Sequence, residues 1–427
     1  MADRSAPSAM AVAAALARPA RTIKPSPSTG SLYALDGVNL FLAAMLSGFG
    51  PYVAAFLASQ NWSQQKIGFV LTAAGLAGLA GQIPGGELLD RIRSKRMAIA
   101  LGVVMIAAGA LIIALRPAFP LVFAALLLQG VTGGFLGLAI VCISLGLVGH
   151  AKLGEQLGVN QRFASTGGVL AAGVMGISAY YLSYQAIFFA AAALVVPLMA
   201  ALSRIQTSDI HFGCSCGAPD YQGLGPMPRA RRESVWKNGS LLTFATCLFL
   251  FQMANASMLP LAAEGLAHAK ETASPLIISA LIVVPQMLVA LMAPWAGRQA
   301  NTNGRRPLLI IGFSALPVRA LVFALSTDPT ILIAAQLLDG ISGTILGVLT
   351  ALTVADITNG SGRFNFAQGL VGTMSGLGAS LSTAFSGQLA GSFGRAAGFA
   401  GIAAVALAAV LLLWLRMPET SLPGKQR

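Results

Sequence analysis

Gln129-Gly130-Val131-Thr132-Gly133-Gly134-Phe135-Leu136-Gly137 returns 210 residues later as Asp339-Gly340-Ile341-Ser342-Gly343-Thr344-Ile345-Leu346-Gly347. Both copies sit inside long apolar runs, and both space small residues so that helix backbones approach closely in lipid. Pro51 and Pro260 repeat at nearly the same offset, as do two basic loops, Gly86–Arg96 and Gly297–Arg306. Three features at one spacing make the chain an internal duplication.

The composition says in what solvent the duplication folds. Of 427 residues, 56% are hydrophobic and 10% charged, and the mean hydropathy is +0.75. Soluble domains carry about 25% charged residues, so most of this surface must face lipid. The apolar runs are continuous and roughly twice as long as the ten-residue segments of a membrane barrel. They therefore read as helices of about 20 residues each.

The predicted spans are 35–57, 67–89, 97–115, 120–148, 163–182 and 186–202, then 241–261, 276–296, 307–325, 330–354, 366–389 and 397–415. This is an all-α membrane protein of twelve transmembrane helices in two pseudo-symmetric six-helix bundles, 35–202 and 241–415. A disordered N-terminal tail (1–34), a linker (203–240) and a C-terminal tail (416–427) complete the chain. The Ala-rich run 9–17 reads as part of that tail, because a long Pro/Ser-rich stretch separates it from the first span. With the N-terminus inside, 22 of the 27 Lys and Arg residues fall on the cytoplasmic side. The positive-inside rule then puts both termini and the linker in the cytoplasm. The net charge of +13 reports topology, and nucleic acid is not an expected partner.

The first basic loop reads Gly86-Glu87-Leu88-Leu89-Asp90-Arg91-Ile92-Arg93-Ser94-Lys95-Arg96. It resembles the G-x-x-x-D-R/K-x-G-x-R/K-R/K signature of the major facilitator superfamily. Gly86, Asp90, Arg91, Lys95 and Arg96 match it, and Arg93 replaces a glycine. The second loop keeps Gly297, Gly304, Arg305 and Arg306, with Asn301 in place of the acid. The resemblance covers all twelve spans and implies the major facilitator fold, alternating access, and these loop residues as a gating latch that favours the outward-facing state. In proton-coupled exporters of the family an arginine precedes Gln129-Gly130 by three positions; here Leu126 stands there. The fifth span likewise has glycines but no Gly-Pro pair. Where some bacterial relatives carry an acid in the first span, this chain has Ala44.

Charge inside a span is the sharpest functional pointer, since one Asp or Arg at mid-helix costs about 2.5–3.5 kcal/mol. Asp339 stands ten residues after Pro329, roughly 15 Å along its helix. It is expected in a central cavity as the coupling or substrate-binding carboxylate, with Gln129 as its symmetry mate and Arg319 as a possible ion-pair partner. Gln252 and Asn255, spaced i, i+3, share one helix face and join Asn39 and Asp36 as candidate cavity residues. Glu264 lies near a span end. Phe41, Phe49, Tyr52, Phe135, Phe249 and Phe251 offer aromatic walls or simple packing.

These readings make the chain a secondary active transporter of a small organic solute, expected to export it against a proton flux. A metabolite importer or uniporter is the alternative, and a transport-dead sensor or scaffold is the rival of another class. The expected partners are a small-molecule substrate, protons and lipid, in a monomer of the bacterial inner membrane. No cofactor is expected. An enzyme is not expected either, because His150, His211 and His268 are scattered across loops. His211, Cys214 and Cys216 in the linker could ligate a metal, but a fourth ligand at regular spacing is missing, so the linker is expected to be unstructured.

Overall fold

The computed structural model describes residues 27–47, 51–218, 238–262 and 275–420. The chain is all helical among these residues. Its first half comprises α1 (Thr29–Ser47), α2 (Pro51–Ser59), α3 (Gln64–Arg91), α4 (Lys95–Leu115), α5 (Phe119–Tyr181), α6 (Tyr184–Ala193) and α7 (Val195–Arg204). A short α8 (Phe212–Ser215) follows. The second half comprises α9 (Gly239–Asn255), α10 (Pro275–Asn303), α11 (Arg306–Leu325), α12 (Pro329–Ile357), α13 (Phe364–Phe393) and α14 (Arg395–Arg416).

Two of the expected spans are continuous with each other. The stretch 149–162, expected as a loop, is helical apart from Gly149, whose φ of 65° and ψ of 178° break α5 into two arms. Glycine alone adopts that backbone at no steric cost, so one residue reverses the chain and His150 already lies in the second arm. The corresponding join in the second half takes six residues, 358–363, with left-handed glycines at Gly360 and Gly362. α13 crosses as a thirty-residue helix although its Gly, Ser and Thr content keeps it out of the strongly apolar set. With α5 counted as two arms, and α1 with α2 and α6 with α7 each counted as one span, the described helices make two six-span bundles, each with its own buried core.

The bundles meet along α3 with α13 and along the 150–181 arm of α5 with α10. Glycine sets the closeness of both seams. A Cβ at Gly86 would collide with the Asn365 carbonyl, and one at Gly297 with the Gly154 carbonyl. Gly158 abuts Ala293 in the same way, while Gly369 and Gly372 abut Gln82. The seams run from the middle of the helices to the end that carries the two basic loops.

Candidate functional site

A cavity of ≈ 410 Å³ opens inside the second bundle, lined by α9, α10, α12 and α13. The i, i+3 pair Gln252 and Asn255 presents from α9, Gln286 from α10, Asp339, Ser342 and Thr350 from α12, and Ser375 from α13. Phe251, Leu248, Val289 and Leu346 supply apolar wall, and Phe251 is braced edge-on by Phe313 at 5.0 Å between centroids.

Beneath this lining lies one charged pair. Arg319 of α11 is 2% exposed, and its Nη1 bonds both Asp339 Oδ1 and, at 3.1 Å, Asn255 Oδ1. The Asp339 side chain is 29% exposed and faces the cavity. Arg319 is thus held in the helix packing while its counterion is open to a ligand or a proton. A carboxylate that gains a proton here leaves a buried guanidinium without a full charge partner, a cost of several kcal/mol in a low-dielectric interior.

The first-half candidates do not line this cavity. Asn39 is buried and donates to Leu35 O one turn earlier at 2.9 Å. Gln129 is half-buried, next to Gly130, which packs on the Ala74 carbonyl. Asp36 meets Gln156, and Gln156 and Asn160 continue to Ser144 through bonds of 2.9 and 2.7 Å. These residues form a polar string within the first bundle. Gln161 reaches across instead, its amide against Gly347 of the cavity wall. Gln161, Gln286, Thr350 and Ser375 were not singled out by the sequence; a polar side chain amid apolar neighbours was their one available signal. Among the aromatic candidates, Tyr52 donates to Ala172 O and Phe135 packs on Gly85. Phe49, Glu264 and His268 lie outside the described residues.

Asp90 Oδ1 accepts from Asn365 N at 3.2 Å and Asn365 Nδ2 at 2.7 Å, and Oδ2 accepts from Phe366 N at 2.9 Å. These backbone donors belong to the first turn of α13, where helix N–H groups have no internal partner and the macrodipole favours an anion. Arg91 pairs with Glu87 at 2.6 Å, and Arg96 binds Thr207 and the Ser203 carbonyl. Lys95 turns back onto Leu89 O, just as Arg305 turns back onto Ala300 O. Arg305 also pairs with Asp356 at 2.9 Å. Glu419 accepts from the Arg305 and Arg306 backbones and lies against Gly304, whose φ is +85°.

The linker is folded where it is described. Phe212–Ala218 packs between the bundles with Cys214, Ser215 and Cys216 buried, and burial pushes the Cys216 thiol up to about 12. No group of His, Cys, Asp and Glu suited to a metal occurs among the described residues.

Comparison with known proteins agrees with this architecture. The profile of the Major Facilitator Superfamily matches residues 36–263 and 241–427. Two proteins of Mycobacterium tuberculosis, from strains CDC 1551 and H37Rv, are each 34% identical over 392 residues, covering 91% of this chain and 93% of theirs. Both are described as uncharacterized MFS-type transporters. The class B tetracycline resistance protein of Escherichia coli is 32% identical over 98 residues, 23% of this chain and 24% of that protein. Among solved structures, the proton:xylose symporter XylE superposes with a TM-score of 0.72 at 15% identity, over 92% of this chain and 97% of its own. The human organic anion transporter MFSD10 superposes at 0.69 and 14%, over 91% and 100%. The chain belongs to the major facilitator superfamily, and it is a multi-pass membrane transporter of small molecules and not an enzyme.

Proposed function

We propose that the protein is a proton-coupled secondary transporter of a small organic solute, working by alternating access around the Asp339 cavity. The carrying observation is the Arg319–Asp339–Asn255 cluster, in which the cation is buried and the anion faces the cavity. Protonating Asp339 frees Arg319 from its counterion. A substrate group or a helix movement then has to compensate the guanidinium, and that requirement is the coupling.

The segregation of Lys and Arg supports a cytoplasmic basic end, with both termini inside a bacterial inner membrane. Closure of the two seams at that end supports an outward-facing state, with Asp90 as the latch. A proton-driven exporter and a symporter use the same cluster. The symport reading has its own support in Leu126, where exporters of the family carry arginine, and in the fold of a proton:xylose symporter.

Solute accumulation in energised inverted vesicles, with and without a protonophore, tests the proposal. Accumulation that the protonophore abolishes identifies proton-driven export, and accumulation only in right-side-out vesicles identifies import. Arg319→Gln/Asp339→Asn, which leaves a neutral pair, is expected to fold and to lose accumulation. Full gradient-driven transport by this double variant overturns the coupling role.

A further inference from the structure

The His211–Cys216 stretch has no part in the transport cycle as described above, yet it sits at the place where the bundles close. From Ser203 onward the linker is fastened along the first bundle. Arg96 holds Ser203 and Thr207. Asp209 accepts from Ser28 and Ser31 at the start of α1, and His211 N donates to Gly146 O at 3.1 Å. Lys95, 1% exposed, lies over the Phe212 ring at 4.9 Å and 3.9 Å from Cys216 Sγ. Cys216 Sγ donates to the Asp90 carbonyl at 3.4 Å.

Three successive linker carbonyls then turn toward the second bundle. Ser215 O accepts from Asn365 Nδ2 at 2.9 Å, Cys216 O from Phe364 N at 3.2 Å, and Gly217 O from Gly360 N at 2.6 Å. Phe364, Asn365 and Phe366 open α13. Its first-turn donors are therefore divided between the linker, which takes Phe364, and Asp90, which takes the other two. Asn365 touches both, through Asp90 Oδ1 and Ser215 O.

We propose that residues 212–218 are a third clasp of the gate: together with Asp90 they cap α13 in trans, so that the bundles cannot part at the basic end until the linker carbonyls release Phe364, Asn365 and Gly360. The clasp rests on the alternating-access reading only in requiring that the bundles part at this end.

The test is a distance measured between spin labels at Arg93→Cys and Arg298→Cys, exposed positions on the two bundles at that end. The full chain in lipid nanodiscs is used, and the native cysteines are all buried. Gly217→Val is the decisive variant. Its φ of +78° disfavours any side chain, and an added Cβ would stand 3.0 Å from Phe364 Cβ, while Asp90 is left intact. Loss of one net hydrogen bond corresponds to roughly a fivefold change in an equilibrium, and two to more. The ratio of long to short distances is expected to rise about fivefold or more, with a parallel rise in N-ethylmaleimide labelling of Cys216 read by peptide mass spectrometry. Phe212→Ala, which loosens only the seat on the first bundle, is expected to shift both readouts the same way by less, and it serves if Gly217→Val does not accumulate. If Asp90→Asn lengthens the distance and neither linker variant does, the clasp is wrong and the gate reading stands. If no variant lengthens it, the gate reading itself is wrong and the clasp falls with it.

Discussion

The two halves share one fold, and at two of their repeated positions they carry an acid at opposite levels. At the gate the first half has Asp90 where the second has Asn301; at mid-depth it has Gln129 where the second has Asp339. The steric arrangement is mirrored, since Gly86 closes on Asn365 as Gly297 closes on Gly154, but the chemistry is crossed. Asp90 binds three donors of the opposite bundle. Asn301 Oδ1 only packs near Gly154, 2.9 Å from where a Cβ would stand. A buried charge is expensive, and each symmetry-related pair of positions bears it once. Duplication supplied two of everything, and of these two repeated pairs each keeps one acid: Asp90 on the donors of α13 and Asp339 on Arg319.

This crossed pattern is open to direct attack, and the largest effect is expected at mid-depth. Asp339→Asn strips Arg319 of its counterion, a loss of about 3–5 kcal/mol by analogy with other half-broken buried pairs. Thermal stability should fall and coupled transport should vanish, whereas Gln129→Leu should leave both near the parent values. Equal damage from the two would erase the asymmetry. At the gate, Asp90→Asn removes charge-assisted bonds worth about 1.5–3 kcal/mol. The open fraction, read from label distances across the basic end, should rise tenfold or more, while Asn301→Ala should leave it unchanged.

Glycine tests the part of the comparison that is symmetric. Gly86→Ala and Gly297→Ala each force a methyl group onto a facing backbone carbonyl, at about 1–3 kcal/mol. The two should open the gate to a similar extent, and a large difference would show that one seam alone sets the closure. The smallest effect belongs to Asp209, whose carboxyl is held below its ordinary 3.8 by hydrogen bonds from Ser31 and then Ser28. A depressed value means the contact stabilises above the ordinary pKa and is lost as pH falls through the lowered one. Asp209→Asn should therefore lower the melting temperature slightly at neutral pH and make no difference in strong acid.

What the sequence reveals of this molecule follows from which forces are local. The duplication and the span pattern are written in periodicity and loop charge, which need no partner to be read, whereas the residues of the basic loops stand out through their resemblance to the major facilitator signature. Arg319 and Asp339 stand out because lipid makes any charge conspicuous. The cavity's confinement to the second bundle was not legible, since helix rotation decides whether Gln286 or Thr350 faces inward, and a nearly uniform apolar helix gives no moment to read. The helical 150–162 stretch was hidden because a single glycine made a turn where polar residues suggested a loop. Phe212–Ala218 looked like a solvated linker or a metal loop, because its order comes from Lys95, Gly146 and Phe364, all distant in sequence.

That distance has a consequence for how the protein is made. Asp90 and its first donor on α13, Asn365, are separated by 275 residues. At ribosomal speeds of about 5–20 residues per second, roughly 15–55 s pass between synthesis of the carboxylate and arrival of its partners. During that interval the first bundle can insert and pack its own core with a bare anion at its rim. The linker emerges midway and meets its seat on Lys95 and Gly146 before α13 exists. The nascent chain thus builds a socket first and fills it last, and a filled socket certifies that translation has run past Phe366.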